Sequence, residues 1–245
     1  MMRYLLILLL ISGSCAPLYV QNSRNSPLLE EKGEFFATAG IGTGIDFQSA
    51  YAVGNHLGVM VNGYYLNQEG EGLFAVQPNS YRIKHRIIES GIGYFTSPSN
   101  KTTFEVYTGF GRGKGSGQDN SATSILILVS DTVNTKSEYD RWFIQPAFGI
   151  HLNSISISVA SRVSIINFRM AEITSGETKY PFTSRPVVFI EPALTFQWRV
   201  NSLGFIVFSQ IGFNAPLSSV YQSESMYTGV NYINTSIGIG YRLKR

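Results

Sequence analysis

Four charged residues are the first candidates for chemistry in this chain: Glu89, Arg141, Arg162 and Glu191. Each falls on the polar side of a long alternating run. Counted from the nearest tight turns, Arg141, Arg162 and Glu191 lie at similar heights, with Glu89 not far below. Opposite charges at one level inside a narrow barrel either pair, which offsets the cost of leaving water, or form a proton or ion path. Pairing is the better account, because small barrels fill their interiors with side chains rather than leaving a channel. The other constellations are weaker. Gly113-Lys114 lies among alternate glycines, but a phosphate loop needs Ser or Thr after the lysine and then a helix, and here Gly115 follows. His56, His85 and His151 sit on separate runs with no metal-ligand spacing and no cysteine partner. Glu69, Glu71, Asp119, Asp131, Glu138 and Asp140 are scattered carboxylates of the kind that ordinarily serve solvation. They leave a hydrolase with catalysts on the loop rim as a remote alternative. No catalytic residue, metal site or cofactor is expected, and the chain is not read as an enzyme.

Long β-strands must position the charged quartet. The clearest hairpin runs from Pro186 to Asn214, where two runs rich in β-branched and aromatic residues flank Asn201 and Ser202. In its first arm Val188, Ile190, Leu194, Phe196 and Trp198 share one face, while Glu191, Thr195, Gln197 and Arg199 share the other. Each arm reaches the roughly 9 to 11 tilted residues a strand needs to cross a bilayer. The same beat predicts about ten strands: Glu34 to Thr43, Ile45 to Val53, His56 to Asn67, Arg82 to Thr96, Thr102 to Gly113, Glu138 to Leu152, Ser154 to Phe168, Pro186 to Arg199, Leu203 to Asn214, and Asn231 to Lys244. Gly54-Asn55, Ser97 to Lys101, Leu152-Asn153 and Asn201-Ser202 are short links. They alternate with long connections over Gln68 to Tyr81, Lys114 to Ser137, Met170 to Arg185 and Ala215 to Val230, the asymmetry of outer-membrane barrels. Within the longest, Ser124 to Val129 is apolar, either as an extension of the neighbouring strands or as a contact surface.

With 14% charged residues and 24 glycines, the chain is poor in charge for a soluble domain. After the N-terminus no stretch approaches the roughly 18 to 20 apolar residues of a membrane helix, so any crossing is by strands. The formal charge of +3 forms no basic patch along the sequence, and nucleic acid is not an expected partner. Period-2 alternation alone does not say which face is outside. The polar faces are mostly Ser, Gly, Thr and Gln, where a solvated face would carry many charges. Tyr94, Trp142, Trp198 and Tyr241 fall near run ends on the apolar side, as an interfacial girdle requires. Two features run against the pattern: Pro146 and Pro192 lie in strand interiors, and Ile206 and Phe208 fall on the supposedly polar face of their strand.

Met1 to Ser14 has one positive charge, an apolar core from Leu5 to Ile11 and then small residues, the anatomy of a secretory signal. Cys15 follows directly. This resembles the lipobox of a bacterial lipoprotein, which implies acylation of Cys15, although Ser12 stands where that motif usually has an aliphatic residue. The domain reading is therefore a signal peptide over 1–14, a lipidated and mostly extended tether over 15–33, and a barrel over 34–245.

From Glu34 onward the pattern resembles the small outer-membrane β-barrel superfamily that includes the OmpA transmembrane domain and OmpW-like proteins. Such barrels commonly end on an aromatic residue, whereas this chain ends Tyr241, Arg242, Leu243, Lys244, Arg245. The expected fold is all-β, an antiparallel up-and-down transmembrane-type β-barrel. The resemblance implies a non-enzymatic outer-membrane protein with a binding, envelope-integrity or small-solute role. Membrane lipid is the expected partner, beside an unidentified extracellular or periplasmic one. The anchor is expected on the periplasmic side, with long loops outside. The second reading is a soluble, lipid-anchored, lipocalin-like barrel whose greasy face turns inward around an apolar ligand.

Overall fold

The computed structural model describes residues 16–71, 80–99, 101–123, 130–181, 185–200, 204–217 and 233–244. Its strands are β1 (Phe35–Gly42), β2 (Ile45–Ala52), β3 (Leu57–Glu71), β4 (Ser80–Ser99), β5 (Thr102–Thr123), β6 (Ser130–Leu152), β7 (Ile155–Ser175), β8 (Thr178–Pro181), β9 (Val187–Arg199), β10 (Phe205–Phe213), β11 (Ala215–Pro216) and β12 (Ile233–Leu243). Every pairing is antiparallel, and β1 to β7 are joined in sequence order. β7 then pairs with β9, β9 with β10, β10 with β12, and β12 with β1, which closes a ring of ten strands. The short β8 and β11 extend β7 and β9 at their ends. The expected up-and-down barrel is thus the observed fold.

Two of the links expected as long loops are largely strand, and a third is strand at both of its ends. β3 runs on to Glu71 and β4 starts at Ser80, β5 reaches Thr123 and β6 starts at Ser130, and β7 reaches Ser175. Beyond the barrel these strands continue as paired hairpins, because Ser, Thr and Gly alternating with charges suit a ladder wetted on its outer side. The apolar run over 124–129 and the turn at 201–202 lie outside the described residues. On the other side the links are tight. At the β6–β7 turn Asn153 takes a positive φ of 52°, a conformation that asparagine tolerates in two-residue hairpins.

The two awkward prolines lie at breaks in the ladder. The β6–β7 pairing passes from Ile144↔Val163 to Ala147↔Ala160, skipping Pro146. On β9, Pro192 falls between the segment paired with β10, which ends at Ala193, and the segment paired with β11, which begins at Ile190. A missing N–H at either place removes little that a neighbour could have used.

The greasy faces point outward. Ile88, Ile92, Trp142, Ile144, Phe148, Val159, Ile165, Phe196, Trp198, Ile237 and Ile239 are exposed on the wall, several by half or more of their surface. Trp142 to Leu152 on β6 corresponds to about 34 Å along a strand, or about 26 Å of height at a tilt of about 40°. Tyr94, Trp198 and Tyr241 border this belt at the short-turn end, and Trp142 at the other. The soluble-carrier arrangement, which needs those side chains inside, is overturned by their exposure.

The larger departure concerns the tether. Residues 16–29 are all buried, most at 2% exposure or less, because they run through the lumen from one mouth to the other. Ala16 lies against Gly117 at the long-hairpin end, and Leu28 lies against Gly149 near the short turns. Gly33 then adopts φ 87° and donates its N–H to the Ala52 carbonyl at 2.8 Å, which turns the chain out of the lumen into β1. A tether that keeps the short-turn end beside its anchor is therefore not what forms: residue 16 and the start of β1 are at opposite ends.

Candidate functional site: a threaded, sealed lumen

The lumen is layered, and the threaded segment APLYVQNSRNSPLL is layered to match. At the long-hairpin mouth Leu18, Tyr19 and Val20 pack with Tyr64, Ile87, Tyr139, Ile166, Phe168 and Phe189. Tyr19 meets Tyr139 edge-on at 5.4 Å and Phe189 at 4.9 Å between ring centres. At the short-turn mouth Leu29 packs with Phe36, Met60, Phe95, Tyr107 and Ile206. The inward placing of Ile206 and Phe208, against the polar trend of the other faces, supplies apolar surface within the lumen. Between the two apolar layers the segment is polar from Gln21 to Ser26, and so is the wall around it.

Apart from a single bridge at Tyr19, the threaded chain joins no sheet, so its main-chain groups must find side chains or remain unsatisfied at a cost. The wall supplies them. Ser137 donates to the Leu18 carbonyl at 2.7 Å, Gln145 to that of Asn25 at 2.7 Å, and Gln197 to that of Ser26 at 3.0 Å. Glu105 accepts from the Leu28 N–H at 3.1 Å, while Arg242 donates to the Leu28 carbonyl at 3.0 Å and bonds Glu34 at 2.6 Å. Asp46 receives both the N–H and the hydroxyl of Ser23, at 3.0 and 2.7 Å. These wall residues come from β2, β5, β6, β9 and β12, so the segment is held all round.

The charged quartet is brought together at this middle level, fully desolvated. Glu89 is the hub for two arginines, Arg141 and Arg162, the latter at 3.1 Å. Arg162 also clasps Gln145 through Nε at 2.9 Å and a terminal nitrogen at 2.7 Å. Although Arg162 and Glu191 are register partners on β7 and β9, the ion pair expected between them does not form. Glu191 instead accepts from Tyr19 at 2.5 Å and Ser164 at 2.8 Å and lies 3.6 Å from Arg24. Arg141 donates to the Tyr19 hydroxyl and to Asn22, both at 2.8 Å. Tyr19, Asn22 and Arg24 thus connect the two carboxylates.

Sequence reasoning placed the quartet but missed its partners on the threaded segment. The histidines are dispersed as expected: His85 meets Tyr139 at 2.9 Å in the upper lumen, His56 the Phe95 carbonyl at 3.1 Å, and His151 Thr103 and Ser156, each at 2.9 Å. No group of His, Cys, Asp and Glu able to hold a metal occurs among the described residues. The alternate glycines from Gly111 to Gly117 face inward, and their bareness makes room. A Cβ on Gly117 would lie 2.6 Å from the Ala16 Cα, and one on Gly149 would lie 2.5 Å from the Leu28 methyls. Cys15 lies outside the described residues.

Two carboxylates outside the belt have shifted acidities. Burial works to raise Glu30, at the short-turn mouth, but the hydrogen bond and charge of Lys244 at 2.7 Å, helped by His151 and Arg242, outweigh it and hold the carboxyl low. On the outer wall the hydrogen-bonded Lys114 ammonium holds Glu138 below its ordinary value.

No protein-family description matches the chain, and no curated protein matches it. Among solved structures it is similar to the translocator domain of the autotransporter NalP from Neisseria meningitidis, with 10% identity, a TM-score of 0.46 and coverage of 85% of this chain and 86% of that one. It is also similar to a major outer membrane protein from Thermus thermophilus, with 12% identity, a TM-score of 0.41 and coverage of 86% and 98%. A third similarity, to CarO of Acinetobacter baumannii, has 8% identity and a TM-score of 0.24, with 90% and 100% covered.

Proposed function

We propose that the protein is a non-enzymatic barrel of the outer membrane, akin to the small barrels of that membrane, whose own N-terminal segment closes its lumen. Its role is then in binding or envelope integrity rather than in passing solutes. The observation that carries this is the burial of residues 16–29 within the ring, with apolar layers at both mouths and hydrogen bonds to the wall between them. Planar-bilayer recording tests it. The full chain should be electrically silent, and a variant lacking residues 16–29, or one loosened by Gly149→Leu with Gln210→Ala, should conduct. Stable conductance by the full chain would end the closed-lumen reading.

Membrane residence rests on the outward apolar belt. With Cys15→Ala behind a standard signal, the protein should stay in the outer-membrane fraction, and its release in soluble form would remove the membrane reading. Outer-membrane barrels keep short turns in the periplasm. With that orientation Ala16 opens on the outer side, so a lipid on Cys15 belongs there rather than on the periplasmic side. An epitope placed directly before Ala16 should be reached by antibody on intact cells; detection only after permeabilisation would reverse the orientation.

A further inference from the structure

The outer wall just above the belt carries a second feature. On β3 to β7 the register sets side chains in level rows. Val61, Ser90, Phe110, Trp142 and Ile165 form one row, and the Phe110 and Trp142 rings pack at 4.8 Å. Two residues higher along β5 and β6 stand Arg112 and Asp140, paired at 3.0 Å. The next row is Tyr65, Arg86, Lys114 and Glu138, and above it Asn67, Lys84, Ser116, Lys136 and Glu172. Like charges set side by side on one face of a sheet oppose its pairing. Arg86 is nevertheless the direct register partner of Lys114, and Lys84 and Lys136 flank Ser116 from both sides.

The acids present are fewer than the bases: Glu138 and Glu172, the register partner of Lys136, stand against Lys84, Arg86, Lys114 and Lys136. Glu138 is engaged by Lys114 at 2.6 Å, and Asp140 is shared by Arg112 and Arg169. Lys84, Arg86 and Lys136 have no ion-pair partner within 4.0 Å among the described residues. These rows line a concavity of about 650 Å³ whose wall carries Lys84, Arg86, Lys114 and Lys136 against Glu138 and Glu172, with Tyr65 and Met170 giving it an apolar margin. Its lowest row stands four residues above the Phe110–Trp142 row, about 14 Å along the strand or about 10 Å of height at a tilt of about 40°. Long lysine and arginine side chains reach down from there to the headgroups of the adjoining leaflet.

We propose that this basic concavity binds the phosphate groups of a phosphorylated lipid in the leaflet on the long-hairpin side, with the acyl chains lying along the belt below. Lysine and arginine around an anionic phosphate form charge-assisted hydrogen bonds, and the belt supplies the apolar surface a free anion would not use. The inference rests on the membrane reading above.

The test uses folded full-length protein in detergent, with native mass spectrometry of bound lipid. The probes are diphosphorylated lipid A, phosphatidylcholine as a zwitterionic comparator, and inorganic phosphate. Lipid A should be retained over phosphatidylcholine, and the triple variant Lys84→Gln/Arg86→Gln/Lys136→Gln should bind it at least tenfold more weakly. The same substitution at Arg199 and Lys244, near the short turns, should leave binding unchanged. Should the triple variant fail to fold, loss of lipid A from the unmodified protein in 0.5 M salt replaces it as the readout (about a 4 Å screening length). Equal retention of both lipids, or binding unaffected by both the variant and salt, would overturn the proposal. Phosphate that competes as well as lipid A would also overturn it, in favour of a free-anion site. Failure of the membrane reading is seen separately, as a protein that stays folded and soluble without detergent.

Discussion

The side-chain amide of Gln210 pairs with the main chain of Arg24 as a neighbouring strand would: Oε1 accepts the Arg24 N–H at 2.6 Å and Nε2 donates to the Arg24 carbonyl at 2.8 Å. Nε2 also reaches Thr195 Oγ1 at 2.7 Å, which fixes the amide in the orientation needed. One side chain thereby satisfies both polar groups of a residue that has no strand beside it. Gln210→Leu leaves those two groups buried and unpartnered, a loss of about 1–3 kcal/mol each at most. Urea unfolding of the refolded protein should show the destabilisation, together with faster proteolysis within residues 16–29. Unchanged stability and protection would mean that the segment does not occupy the lumen in this register.

Glu89 compensates two guanidinium groups at once. Glu89→Gln should therefore cost about 3–5 kcal/mol, the range for stranding buried charge. In double-mutant cycles Glu89→Gln with Arg162→Met should show coupling of about 1–3 kcal/mol. Glu191→Gln with Arg162→Met should show less, because Glu191 spends its oxygens on Tyr19, Ser164 and Arg24. The opposite ranking would reassign the ion pairs.

Glycine substitutions separate the inner from the outer face. A Cβ on Gly63 meets nothing within 4 Å, so Gly63→Ala should be close to neutral. Gly149→Leu drives side-chain atoms into Leu28 and should expel the lower part of the segment. Hydrogen exchange over residues 16–29 reads the difference directly. Equal protection in the two variants would contradict the close approach at Gly149.

Acid should loosen the short-turn mouth. Glu30 has a lowered pKa in the folded protein, so its contribution is complete above the ordinary carboxylate value and is lost as pH falls through the lowered one. The stability difference between the unmodified protein and Glu30→Gln should be present at neutral pH and vanish in strong acid, and Lys244→Gln should remove most of it at every pH. A difference that grows on acidification would contradict the Lys244 pairing.

The wall was legible because its signal is local. Alternation such as Trp142, Ile144, Phe148 and Ile150 against Arg141, Gln145 and Gly149 follows from a period of two, and closure follows from repetition. The threaded segment was not legible, because its three layers are matched to residues far away in sequence: Leu18 to Ser137, Arg24 to Gln210, Leu28 to Glu105. A trace of it does exist in the glutamines and asparagines of the inner face. Gln145, Gln197, Gln210, Asn62 and Asn234 are more amide groups than a wall needs for itself, and four of the five bond the main chain of residues 16–29. The basic concavity was hidden for a related reason. Lys84, Arg86, Lys114 and Lys136 are separated along the chain by acids and glycines, and only the register of β4, β5 and β6 puts them side by side.

A segment enclosed by a ring has implications for the order of assembly. The seam between β1 and β12 runs from Phe35↔Leu243 to Gly42↔Ser236 and joins the two ends of the wall. If Cys15 carries acyl chains, as proposed, that end is too bulky and too greasy to be drawn through a finished tube past Glu89, Arg141 and Asp46. The wall must then be wrapped around a segment already in place, and residues 16–29 act as the mandrel on which the strands are wound before the seam zips shut.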